Sequence, residues 1–410
     1  VTGFLYDLRL ALYVGIAYFA RHSRGASRYF LLTMYTRYTR FLLVALSVLA
    51  FASCKSDFSQ DPSIPATATP SVFISSNNGF VYAYDPATGA KKWEFSAGAP
   101  VKATPYMFLK RLYVLSADGY IHRLDPDNGM ELKKFHILAS LVSSPVGDGN
   151  YMYVGAGDNN MYCWDMAYDT LVWKSPLGAP IESSPIIVDT AVVFGCDDGK
   201  VYSLSKRYGN QAWNFDPGTA TQFTSSPVYV AAVNQVYIGA KDGNMYAIIP
   251  GATPTMRWKF ATAGPIESSP ISYGGNIIFG SYDKNVYCID SGSGLPRWTI
   301  PTSDRVLSSP FAANQVIYIG SYDYNLYAIH IITGALRWKF QTGGAIHSSP
   351  LVTNGIAYCG STDKYFYALD TLGGTMHWKQ NLNGVIETSP ILVDSNKNTL
   401  YSSVSGSSRY

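Results

Sequence analysis

The tripeptide Ser-Ser-Pro, or a close variant of it, ends at Pro105, Pro145, Pro185, Pro227, Pro270, Pro310, Pro350 and Pro390, at intervals of 40, 40, 42, 43, 40, 40 and 40 residues. Two further landmarks keep the same phase. Tryptophan stands at 93, 173, 213, 258, 298, 338 and 378, and tyrosine follows an apolar residue at 82, 162, 202, 246, 287, 327 and 367. Three landmarks in step define a tandem repeat. A unit of this length cannot bury its own apolar faces, so each copy must lean on its neighbours.

Within a copy, four short runs alternate apolar with polar or small residues. In the unit that begins at Ser348 they are SSPLVT, IAYCGS, YFYALD and MHWKQ. They are rich in Tyr, Ile and Val and never reach helical length, so each reads as a strand. The turn between the second and third runs carries Asp118, Asp158, Asp198, Asp242, Asp283, Asp323 or Asp363, followed by Gly, Asn, Lys or Tyr. These aspartates read as hairpin chemistry, because Asp and Gly tolerate the left-handed backbone of tight turns, and not as calcium ligands.

Four-stranded antiparallel units of about 40 residues in tandem predict propeller blades. Seven complete units run from 103 to about 380; the segment 72–95 supplies three more runs, and 388–410 supplies a first run and weaker later ones. The expectation is an all-β, eight-bladed β-propeller over residues 71–410, closed by pairing the strand after Pro390 with the N-terminal remnant. The Ser-rich end, 402–410, is partly surplus to that scheme. Charged residues make up only 14% of the chain, against about 25% in ordinary globular proteins. That fits a fold in which most positions face another blade. The unit after Pro105 departs from the rest, with Arg123 where Ala is usual and Lys133 where Trp is usual. It marks either a looser dock with a contact surface or simple drift of one blade.

The chain ahead of the repeats reads as an address. Residues 41–53, FLLVALSVLAFAS, are too short to cross a bilayer, which takes about 20 residues, but they have the length of a secretory apolar region behind Arg37 and Arg40. Residues 34–53, starting at Met34, make a compact signal peptide; 1–33 read as an upstream extension or a non-native segment, and 54–70 as a polar, Pro-containing flexible tether. Residues 1–53 also hold six Arg and one Asp, leaving 25 basic and 27 acidic groups elsewhere. The repeat region therefore has no electrostatic case for nucleic acid or anionic lipid.

The residues from Ala83 to Trp93 follow the pattern A-x-D-x-x-T-G-x-x-x-W, which returns with substitutions at Ala328 to Trp338, where His330 replaces the Asp, at Cys288 to Trp298 and at Ala368 to Trp378. This resembles the tryptophan-docking motif of the quinoprotein-like (PQQ-repeat) propellers and covers residues 72–410. The resemblance implies that Trp93, Trp173, Trp213, Trp258, Trp298, Trp338 and Trp378 lie on outer strands and pack on the next blade, with glycine permitting the close approach. Ala52-Ser53-Cys54 resembles the lipobox of bacterial lipoproteins, which implies lipidation of Cys54; Lys55 after it favours the outer membrane. Together these features resemble BamB-like outer-membrane lipoproteins. That family implies a non-enzymatic, lipid-anchored scaffold, a monomer within a complex of other envelope proteins, among them the outer-membrane barrel assembly machinery. It would meet the membrane through its anchor only and face the periplasm or the surface.

PQQ-repeat propellers also include quinone-dependent dehydrogenases, which carry adjacent cysteines and a carboxylate set around calcium. Here Cys163, Cys196, Cys288 and Cys359 are isolated, and the six His residues (22, 122, 136, 330, 347, 377) show no ligand spacing. No Ser-His-Asp elbow, phosphate loop or zinc spacing is present. The balance is against an enzyme, and no cofactor or metal is expected. The alternatives are a PQQ- and calcium-dependent dehydrogenase and a surface carbohydrate- or ligand-binding module. One constellation stands out three residues before each landmark Pro: Lys102, Val142, Glu182, Thr224, Glu267, Leu307, His347 and Glu387. By the family resemblance this slot lines the central channel. Lys102, Glu182, Glu267, His347 and Glu387 would then form either a polar funnel for a small ligand, cation or peptide end, or a solvated rim.

Overall fold

The structure, a computed structural model, describes residues 69–137 and 139–402. The upstream extension 1–33, the signal peptide 34–53, Cys54 and the tether as far as residue 68 lie outside the described residues. The last two tether residues are held, because Lys92 Nζ donates to the Thr69 carbonyl, Thr69 Oγ1 and the Pro70 carbonyl at 2.6–2.9 Å.

Eight antiparallel sheets make up the described residues, seven of them each built from four consecutive strands. Blade 4 is typical, with Ile186–Val188, Ala191–Gly195, Val201–Ser205 and Gln211–Phe215 in order from the axis outward. Blades 2 and 3 span 106–136 and 146–176; blades 5 to 8 span 228–261, 271–301, 311–341 and 351–381. Blade 1 closes the ring with both ends of the propeller. Ile391–Val393 pairs with Ser71–Ser75 in the register Phe73↔Ile391, Val72↔Leu392 and Ser71↔Val393. The first strands of neighbouring blades lie against one another from blade 3 through to blade 8, which puts the first strands at the axis. The propeller is eight-bladed, and among the described residues it contains no α-helix.

The first strand is shorter than the sequence suggests: the run SSPLVT is extended only over Leu351–Thr353. Proline lacks an amide proton, and the two serines spend their groups sideways instead of on the ladder. The backbone N–H of Thr104 donates to Ser144 Oγ, Ser144 to Ser184, Ser184 to Ser226 and Ser226 to Ser269. The series continues to Ser309, Ser349 and Ser389, and Ser389 N–H donates to Thr104 Oγ1, all at 2.9–3.4 Å. Eight hydrogen bonds thus form an unbroken girdle around the axis. Thr399–Ser402, at the edge of the segment that looked surplus, pairs with the free edge of Ile391–Val393 as a fifth strand; residues 403–410 lie outside the described residues.

The blades lock through their tryptophans. Trp338 Nε1 donates to the Thr371 carbonyl at 2.9 Å, and a Cβ on Gly374 would sit 2.6 Å from the same ring. Trp93, Trp173, Trp258, Trp298 and Trp378 repeat this on the Pro126, Lys206, Ser291, Ile331 and Pro86 carbonyls at 2.8–3.2 Å. Each of these rings stacks on a glycine of positive φ in the next blade: Gly129, Gly209, Gly294, Gly334 and Gly89. Trp213 is the exception. It is buried with Phe215, Tyr246 and Ile248, but the one-residue-longer turn of blade 5 leaves Gly251 with nothing within 4 Å.

Blade 2 lacks the tryptophan, and blade 3 lacks the matching glycine. Asp169 (φ 58°) takes the glycine's place. Arg123 Nη1 and Lys133 Nζ meet its carboxylate at 2.8 and 2.7 Å, and Arg123 also reaches the Met166 carbonyl at 3.5 Å, where an indole would donate elsewhere. This contact is not loose. An ionic clasp has replaced the indole, with changes on both sides of the seam.

Candidate functional site

The turn aspartates do what tight turns require. Asp158, Asp198, Asp242, Asp283, Asp323 and Asp363 each accept from a tyrosine hydroxyl four residues on, at 2.5–2.7 Å. Residues with positive φ follow them, including Asn159, Lys284, Tyr324 and Lys364. The phase-locked tyrosine is therefore the partner of the turn. In blade 2 His122 replaces it, with Nε2 3.3 Å from Ser116 Oγ and Nδ1 2.6 Å from Glu131 Oε1. The order Ser-His-Glu resembles a hydrolase relay, but Ser116 is fully buried and its hydroxyl meets Asp118 Oδ1 at 2.5 Å. No substrate carbonyl can reach that oxygen, so the trio is structural.

The four cysteines Cys163, Cys196, Cys288 and Cys359 are buried in separate blades, and burial pushes each thiol up to about 12. They are neither thiolates nor neighbours. Among the described residues no three His, Cys, Asp or Glu side chains gather closely enough to hold a metal ion.

Of the slot residues, Glu267, His347 and Glu387 lie near one another, and Glu182 meets them through a second layer. The amide after each second strand ties the turn to the segment entering an inner strand: Asp197 N–H donates to the Pro180 carbonyl at 3.1 Å, Lys241 to Gln222 at 3.0 Å, and Tyr282 and Tyr322 to Pro265 and Arg305 at 2.9 Å. A polar belt results. Lys241 Nζ lies 3.8 Å from Glu267, and Tyr282 Oη donates to Glu267 Oε2 at 2.9 Å. The Arg305 guanidinium sits 5.3 Å from the Tyr282 ring centroid and 4.2 Å from that of Tyr322. The Tyr322 ring is 6.2 Å from His347, and across blade 1 Asn77 Nδ2 donates to Glu387 Oε2 at 2.8 Å.

The same proximity shapes the electrostatics. Burial holds the His347 imidazole below its ordinary range; Glu387 and Glu267 pull it up, and Arg305 pushes it down. Burial, then Glu182, push the Asp197 carboxyl up to about 6, while Lys241 opposes them. Glu267, His347 and Glu387 therefore share one field, and Glu182 joins it through Asp197. Lys102 is exposed and forms no ion pair among the described residues. Sequence reasoning missed Asp197, Lys241, Tyr282, Arg305 and Tyr322. For four of them the signal was present: each stands immediately before a turn aspartate, in a different column of the repeat from the slot.

A family model described as outer membrane protein assembly factor BamB matches residues 50–133, 117–252, 251–343 and 316–403. The chain belongs to the BamB family. Among solved structures, BamB from Moraxella catarrhalis superposes with a TM-score of 0.62 at 15% identity, covering 72% of this chain and 94% of that one. The computationally designed Ika8 protein gives 0.63 at 16% identity, covering 73% and 94%. A europium-containing methanol dehydrogenase gives 0.63 at 14% identity, covering 74% and 83%. At these identities the likeness is one of fold, shared by an assembly factor, a designed protein and an enzyme. No curated protein matches in sequence.

Proposed function

We propose that this chain is a non-enzymatic, lipid-anchored scaffold of the bacterial outer membrane that assists barrel assembly through contacts with other envelope proteins. The observation that carries the reading is the match of the BamB family model from residue 50 to residue 403. The mechanism follows from the fold. A ring fastened by the serine girdle and the indole docks is rigid, so its turns present fixed contacts and lose little conformational freedom on binding. Tethering at Cys54 would hold that surface close to its partners and raise their effective concentration.

Two experiments test this reading. Tagged full chain purified from detergent-solubilised envelope should bring down barrel-assembly subunits; recovery of no envelope protein contradicts the scaffold. Cells fed a labelled fatty acid should label the parent chain and not Cys54→Ser, and equal labelling of both overturns the anchor. Turnover of an alcohol or sugar by purified protein given PQQ and calcium, with a dye acceptor, would instead establish an enzyme.

A further inference from the structure

The scaffold reading leaves the channel mouth without a role, yet this is where the propeller leaves its polar groups unmatched. Nine side-chain atoms among the described residues are buried with no hydrogen-bond partner, and four belong to this mouth: Asn77 Oδ1, Asp197 Oδ1, Thr224 Oγ1 and His347 Nδ1. Native structures seldom leave such atoms unpaired. Asn77 gives its amide N–H to Glu387, which leaves its oxygen as an acceptor, and a carboxylate oxygen can only accept. The unmet demand is chiefly for N–H or O–H donors. Charge points the same way: the four carboxylates Glu182, Asp197, Glu267 and Glu387 outnumber Lys241, Arg305 and the exposed slot residue Lys102. The wall already accommodates a flat cation, since the Arg305 guanidinium lies against the Tyr282 and Tyr322 rings.

We propose that the mouth running from blade 4 round to blade 1 binds an organic cation rich in N–H donors, a guanidinium or a primary ammonium. A bare metal ion does not suit it, because among the described residues no three ligating side chains converge. The acceptors are spread from Asp197 on blade 4 to His347 on blade 8, so the ligand must carry donors at several points. A polyamine and the arginine or lysine side chain of a partner share this chemistry. The proposal does not depend on barrel assembly, and either can fail without the other.

The test is calorimetric titration of the full chain with argininamide, spermidine and the uncharged citrullinamide. Saturable binding of a cationic probe is expected, with none by citrullinamide. Asp197→Asn and Glu387→Gln should weaken it about tenfold or more, while Glu94→Gln, exposed and paired with Lys91 away from the mouth, should leave it unchanged. Tighter binding of spermidine identifies a free polyamine; tighter binding of argininamide identifies a side chain. Asp197 is faced by Glu182, Lys241, Asp198 and Glu267, and its protonation below about pH 6 should weaken binding as the solution is acidified. Thermal melts of both mouth variants should match or exceed the parent, which separates lost affinity from lost fold. Absence of saturable binding at millimolar probe, equal binding of citrullinamide, or affinity unchanged in both mouth variants overturns the proposal.

Discussion

Gly374 and its neighbour Gly373 show how finely the docking is specified. Gly374 has φ +70° and lies under the Trp338 indole, whereas Gly373 has an ordinary φ and nothing within 4 Å of where its Cβ would be. Gly374→Ala should therefore lose about 2–4 kcal/mol, from left-handed strain and overpacking together, while Gly373→Ala should stay within about 0.5 kcal/mol of the parent; urea unfolding midpoints measure both. Asp197 makes the opposite prediction. Its carboxyl titrates near 6 in the folded protein, above its ordinary 3.8, so its penalty is fully present above pH 6 and gone below about pH 4. Asp197→Asn should raise stability at pH 8 by about 1 kcal/mol, after discounting the shift for solvent screening, and the gain should vanish by pH 4. A loss at pH 8 would mean that this oxygen has a partner.

At the scale of blades and seams, the contact between blades 2 and 3 is informative because two rows of the repeat changed together. Asp169→Gly alone leaves Arg123 and Lys133 without their partner and should cost about 2 kcal/mol, since removing one member of a partly buried ion pair strands the other. The triple change Arg123→Ala, Lys133→Trp and Asp169→Gly rebuilds the indole dock and should be at least as stable as the parent. Denaturant midpoints of the singles and the triple decide this, and simple additivity would show that the clasp is not a unit. The sequence flagged Arg123 and Lys133, because each breaks its own column. It did not expose Asp169, which breaks a column of the following copy and pairs with them only after the ring forms. The inner strand was misjudged for a related reason: alternation reads Ser-Ser-Pro as extended chain, but its hydrogen bonds run between blades, perpendicular to the pattern that periodicity detects. The mouth was half legible. The slot residues share a column, while Tyr282, Tyr322, Lys241 and Asp197 occupy another, and no one-dimensional spacing shows that the two columns meet at the axis.

For the whole molecule, everything depends on closure. Tandem landmarks fix the number of copies but not whether their stack is open or ringed, and the decisive pairing joins residues more than three hundred positions apart. Here it is the register Ser71↔Val393, Val72↔Leu392 and Phe73↔Ile391, reinforced by Trp378 of blade 8 docking on the Pro86 carbonyl of blade 1. Directly opposed antiparallel residues stand about 4.5–5.5 Å apart, within the span of a disulfide. The most direct measurement is oxidation of the Ser71→Cys, Val393→Cys double variant, followed by mass spectrometry of its proteolytic fragments. Near-complete linkage of positions 71 and 393 within one chain is predicted; two free thiols in the folded protein, or linkage only between chains, would contradict the closed ring.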